Sequence, residues 1–122
     1  MGTHNALMGS YGERAALQFL IDQGYRLAAH NVKYRCGELD LLVIAPDGSL
    51  VVVEVKTRSS LSFGGAESVT SKKLSRMRKA AAQWLLDSNG FYSSVRFDVV
   101  VVQPGPDGAT FEHFIGVEHG AW

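Results

Sequence analysis

Four charged residues stand in runs that otherwise read as buried. Glu38 and Asp40 belong to the segment Glu38–Ala45, and Glu54 and Lys56 to Ser49–Thr57, both rich in Val, Leu and Ile. A carboxylate buried without a partner is costly, so the pattern asks for a reason. Side chains alternate along a strand, which puts Glu38 on the face of Asp40, and Glu54 on the face of Lys56. The connection Pro46-Asp47-Gly48 suits a type I turn followed by a left-handed glycine. As a three-residue loop it pairs Ala45 with Ser49, Asp40 with Glu54 and Glu38 with Lys56. Directly opposed side chains lie roughly 5 Å apart at Cβ. Two carboxylates that close repel, and neither ionises readily without a cation between them. A hard divalent ion, Mg²⁺ or Mn²⁺, resolves this with a few carboxylate oxygens and retained waters. Lys56 would then orient or help deprotonate an attacking water, while the metal acidifies that water and polarises a phosphoryl oxygen. The combination suits phosphodiester hydrolysis. The plainer alternative is an ion-pair cluster at the mouth of a sheet, with Lys56 satisfying Glu38 and Glu54.

The elements that must position these groups follow from spacing. Ala15, Ala16, Leu17, Phe19 and Leu20 recur at helical intervals and Gly24 offers a stop, which predicts a helix over roughly residues 10–23. Arg26–Tyr34 reads as an edge strand with a loop. The hairpin of residues 38–57 is apolar on both faces near its turn, so it should be a central pair covered from both sides. Ser59–Ala66 is a loop of small residues. Thr70 or Ser71 can cap a second helix reaching about Asp87, with Leu74, Met77, Ala81, Trp84 and Leu85 on one face. Val95–Val102 and Thr110–Val117 are the last strands, separated by a turn at Pro104–Gly108. The fold class is α/β.

At 122 residues and 46% hydrophobic, the chain suits one compact domain over residues 11–122, preceded by a flexible arm at 1–10. Formal net charge is zero, so no polyanion partner is advertised globally. Locally the balance breaks: residues 71–79 carry five basic residues and no acidic one. Lys72, Lys73 and Arg76 could grip phosphates, with Arg14, Arg35 and Arg58 extending the positive surface; a charged helix face can equally be merely solvated. Contacts of this type give affinity without sequence reading. The single cysteine, Cys36, allows no internal disulfide and points to a reducing compartment. No signal-peptide pattern or membrane-length apolar run is found, so a cytoplasmic protein without membrane attachment is expected. No His or second Cys stands at ligand spacing from Cys36, which argues against zinc. Asp98, in an apolar strand, is either a structural hydrogen-bond acceptor or a support for the site.

The stretches Gly12-Glu13-Arg14, Asn31–Arg35, Gly37-Glu38-Leu39-Asp40-Leu41-Leu42 and Val53-Glu54-Val55-Lys56-Thr57-Arg58 resemble the YraN-like family of small bacterial proteins. Phe63-Gly64, Lys72 and Arg96–Val100 also match, so the resemblance spans about residues 11–118. That family is grouped with the PD-(D/E)XK superfamily and is similar to archaeal Holliday junction resolvases. The resemblance implies a restriction-endonuclease-like fold, with a central mixed β-sheet and a catalytic hairpin flanked by helices. It implies a catalytic set of Glu13 on the first helix, Asp40, Glu54 and Lys56. The expected metal position is Asp40, Glu54 and the main chain of Val55, with Glu38 and Asp98 as supporting candidates. Leu39 stands where the motif's name has proline. The leading expectation is a Mg²⁺- or Mn²⁺-dependent DNA endonuclease for branched or structured DNA, acting as a monomer or homodimer. The alternatives are a non-catalytic nucleic-acid-binding module and a protein-interaction factor whose basic helix docks an acidic partner.

Overall fold

A computed structural model describes residues 11–58 and 69–117. The expected arm at 1–10 and the loop Ser59–Ala66 lie outside the described residues. Helix α1 spans Tyr11–Ile21 and is followed by β1 (Arg26–Tyr34), β2 (Gly37–Ile44) and β3 (Leu50–Thr57). Helix α2 spans Ser71–Asp87 and leads into β4 (Val95–Gln103) and β5 (Thr110–Phe114). The strands form one mixed sheet in chain order, antiparallel throughout except for the parallel pair β3–β4. A parallel pair needs a crossover, and α2 lies on it.

The two helices cover opposite faces. Ala16, Leu17 and Leu20 of α1 pack on Leu41, Val43, Val51, Val53, Val100 and Val102. Leu74, Met77, Ala80 and Ala81 of α2 pack on Leu42, Leu50, Val52, Val99 and Val101. This explains the unbroken apolar runs of β3 and β4: a strand covered on both sides has no solvent face to mark with polar residues. Thr70 caps α2, its hydroxyl accepting from Lys73 N at 3.1 Å.

The turn between β2 and β3 takes the form its residues dictate. Ala45 N donates to Ser49 O, Gly48 N donates to Ala45 O, and Gly48 has φ 92°. Asp47 Oδ1 accepts from Ser49 N at 2.9 Å, which locks the corner. The resulting ladder pairs Leu41 with Val53, Leu42 with Val52, Val43 with Val51 and Ile44 with Leu50. It stops there, one pair short of Asp40 and Glu54.

Candidate functional site: a carboxylate pair where two strands part

The end of the β2–β3 ladder makes the site. Ala45 and Ser49 form a hydrogen-bonded pair, so in an unbroken antiparallel ladder the Val55 N–H would reach the Leu39 carbonyl. Instead Val55 N donates to Asp40 Oδ2 at 2.9 Å. A side-chain oxygen has replaced a main-chain one, and the strands separate beyond it. The expected pairing of Glu38 with Lys56 is therefore corrected. Glu38 pairs with Lys33 on β1, and Lys56 with Val101 on β4. The turn sets the register of the upper hairpin, but the Asp40 carboxylate overrides it below.

Glu54 is buried, 6% exposed, and Asp40 half-buried. Burial, with the Glu54 charge beside it, pushes the Asp40 pKa up to about 7; Glu13 adds to the rise, while the Val55 N–H and Lys73 oppose it. Lys73 of α2 donates Nζ to Glu54 Oε2 at 2.5 Å. The pair opens into a cleft of about 390 Å³ lined by Arg35, Glu38, Asp40, Glu54, Lys73 and Arg76, among others. Gly37 lets the β1–β2 turn lie against α2, since a Cβ there would sit 2.8 Å from the Arg76 carbonyl oxygen.

Glu13 approaches from the other helix. Gly12 is buried against Thr57, where a Cβ would lie 1.8 Å from Oγ1, so α1 begins hard against the end of β3. Asn31 Nδ2 donates to Glu13 Oε1 at 2.8 Å, and Asn31 Oδ1 is 3.1 Å from His30 Nδ1. Asn31 has φ 50°, a left-handed conformation that asparagine tolerates better than most residues. Its neighbours His30 and Val32 pair with Leu41 and Leu39, the residues on either side of Asp40. The amide thus links Glu13 to the strand next to the carboxylates.

The remaining candidates divide. Arg35 and Arg76 reach the cleft, whereas Lys72 is exposed on α2 away from its lining. Arg14 follows Glu13 on α1. Arg58 follows β3, with its N–H on the Val102 carbonyl at 2.8 Å. Lys56 is half-buried and outside the described lining of the cleft. Asp98 is fully buried in a separate cluster. It accepts from Arg96 Nε and Nη2 at 3.0 Å, from Gly116 N at 3.0 Å, and meets His113 Nε2 at 2.7 Å. Although burial works against it, the bonds from His113, Arg96 and Gly116 hold its carboxyl below the usual carboxylate range. This is a structural tie from β4 to the end of β5, extended by Arg96 Nη2 to Tyr25 Oη at 2.9 Å.

Lys73, expected to grip phosphates, instead has its ammonium on Glu54, and the Asn31–Glu13 contact escapes a reading that treats strands alone. A signal for Lys73 exists: with the cap at Thr70, it shares a helix stripe with the buried Met77 four residues on. Asn31 opens one of the stretches that carry the family resemblance, yet no spacing points its amide to Glu13.

The donor set fits a hard cation in part. Among the described residues no three His, Cys, Asp or Glu groups form a ligand set. Asp40 and Glu54 supply two carboxylates, and burial with the Glu54 charge makes Asp40 harder to ionise. Mg²⁺ commonly takes one or two carboxylates and keeps several waters, so two suffice.

The molecule is thus an α/β domain with a five-stranded mixed sheet whose cleft sets an acidic pair under a basic rim. The chain belongs to the uncharacterised protein family UPF0102, whose model matches residues 12–102. It is 46% identical to a UPF0102 protein of Corynebacterium efficiens, over 99% of each chain. A UPF0102 protein of Corynebacterium diphtheriae is 38% identical over 98% of this chain and 97% of its own. One from Symbiobacterium thermophilum is 48% identical over 83% and 86%. No helix among the described residues is long and apolar enough to cross a membrane.

Proposed function

We propose that this protein is a metal-dependent nuclease of the PD-(D/E)XK type, with a restriction-endonuclease-like fold akin to that of archaeal Holliday junction resolvases. It hydrolyses phosphodiester bonds in DNA, with branched or structured DNA as the favoured substrate. One observation carries the reading: Asp40 and Glu54 meet where β2 and β3 part, in a cleft rimmed by Arg35, Lys73 and Arg76. Like charges are placed together and kept partly dry, an arrangement that costs stability and gains a purpose when a cation binds.

Asp40, Glu54 and the main chain at Val55 would hold Mg²⁺ or Mn²⁺, which supplies an acidified water and a polarised phosphoryl oxygen. Arg35 and Arg76 bind the phosphate backbone at the cleft mouth and set its position without reading bases. Glu13, steadied by Asn31, orients water beside Asp40. A lysine ammonium offsets charge developing on the phosphate; Lys56 has this role by motif, and Lys73 reaches the carboxylates. The test is cleavage of several DNA structures with and without Mn²⁺, beside Asp40→Ala and Glu54→Ala. Both variants should lose cleavage by 100-fold or more, on the order of a removed metal-site contribution. Cutting that survives both substitutions would sink the assignment.

The Lys73–Glu54 ion pair favours a second reading, a nucleic-acid-binding module whose acidic pair is neutralised from within. That protein would bind DNA in a salt-dependent way and cut none of the substrates.

A further inference from the structure

We propose that Lys73 is the resident counter-ion of the carboxylate pair, so that a divalent cation enters the cleft only as the Lys73 ammonium leaves Glu54. The inference rests on reading Asp40 and Glu54 as a cation site, and it deepens that reading.

Three observations point this way. Lys73 Nζ sits on Glu54 Oε2, and its charge also acts on Asp40, so a single ammonium serves both carboxylates. The pairs of Asp98 with Arg96 and His113 lie in a different cluster. Lys73 is also placed to move. It stands in the first turn of α2 with a side chain 34% exposed, whereas the Glu54 side chain is 7% exposed on a central strand. A lysine is a compact charge on a flexible four-carbon stem, so the ammonium can swing while the carboxylate stays. Finally, the exit is provided. Arg35 and Arg76 line the same cleft, and an ammonium that leaves Glu54 joins them where a phosphate would approach. In the metal-free protein Lys73 thereby offsets the Glu54 charge, and loading the site turns Lys73 outward toward substrate.

Thermodynamic linkage makes this testable. Two cations that compete for one carboxylate weaken each other reciprocally. Removing the lysine charge must therefore tighten divalent binding, whereas a permanent structural ion pair makes no such demand. Mn²⁺ affinity is measured by calorimetry on the full chain at pH 8 and low salt, for wild type, Lys73→Met, Lys73→Arg and Lys56→Met. Lys73→Met should bind Mn²⁺ at least about fivefold more tightly than wild type, the lower end of typical coupling between sites. Lys73→Arg, which keeps the charge, and Lys56→Met should stay within about twofold of wild type, well inside that coupling range. A second measurement needs no variant: the Lys73 side-chain ammonium resonance of the wild-type protein should shift on titration with Mg²⁺, and that of Lys56 should not. If wild type binds Mn²⁺ and Lys73→Met binds no tighter, the counter-ion role is overturned and the cation site stands. An unmoved Lys73 resonance in a protein that binds Mg²⁺ overturns it too. If neither wild type nor Lys73→Met binds Mn²⁺ at millimolar concentration, the cation site itself falls, and this inference with it.

Discussion

Replacing Asp40 with asparagine should make the metal-free protein more stable at alkaline pH. Burial and the neighbouring Glu54 raise the Asp40 pKa from 3.8 to about 7 in the folded chain. The folded state then holds its proton over a range in which the unfolded state has lost it. A pKa raised by folding means that stability falls as pH climbs from about 4 to about 7, and stays at the lower level above. Asparagine has no charge to bury, and its carbonyl oxygen can still accept from Val55 N–H. Each pH unit between 5 and about 7 is worth about 1.36 kcal/mol. The stability gap between variant and wild type should therefore widen by about 2–3 kcal/mol between pH 5 and pH 8. Urea unfolding in the presence of a chelator, at both pH values, measures that gap while titrations remote from Asp40 cancel between the proteins. A gap that is equal at pH 5 and pH 8, or that shrinks, would refute the account of Asp40 as a carboxylate destabilised by burial and repulsion.

Three further outcomes follow from the geometry. Gly37→Ala puts a methyl group 2.8 Å from the Arg76 carbonyl oxygen, so the β1–β2 turn must lift from α2; thermal unfolding should register a loss of about 1–3 kcal/mol. Asp98→Ala leaves the Arg96 guanidinium and the Gly116 N–H facing a cavity and should cost about 3–5 kcal/mol while Mn²⁺ affinity holds. Because the Asp98 carboxyl is held low, its contribution is present at neutral pH and is lost only as pH falls below about 4. Asn31→Gly keeps a backbone able to adopt φ 50° but removes the amide from Glu13. Denaturant unfolding should change by no more than about 1 kcal/mol, with metal-dependent DNA cleavage falling about tenfold if Glu13 is correctly placed by that bond.

Much of the scaffold is legible in the residues themselves because its causes are short-ranged. Pro46-Asp47-Gly48 dictates a three-residue turn, and the turn sets the register down to Leu41 and Val53. Thr70 caps α2, and the spacing of Leu74, Met77 and Ala81 fixes the face it buries. The apolar runs of β2 and β3 announce a central pair covered on both sides. Asp40 and Glu54 stand out by type alone, as charges in runs that should have none. The strand Thr110–Val117 is read too long, since it ends at Phe114; Gly116 lies beyond it with φ 73° and turns its N–H to Asp98.

What the tertiary structure decided is which charge meets which. Alternation and turn geometry place Glu38 opposite Lys56, but Asp40 captures the Val55 N–H and the strands part first. Lys56 stays in the β3–β4 ladder, and the ammonium that reaches Glu54 comes from Lys73, 19 positions further along the chain. Asp98 takes Arg96 from its own strand and finds His113 on β5 and Gly116 just beyond it. These partnerships depend on where the crossover sets α2 against the sheet and on a carboxylate competing with the backbone for one hydrogen bond. Neither is written in local spacing, because an ion pair is chosen by distance and desolvation in the packed molecule rather than by separation along the chain.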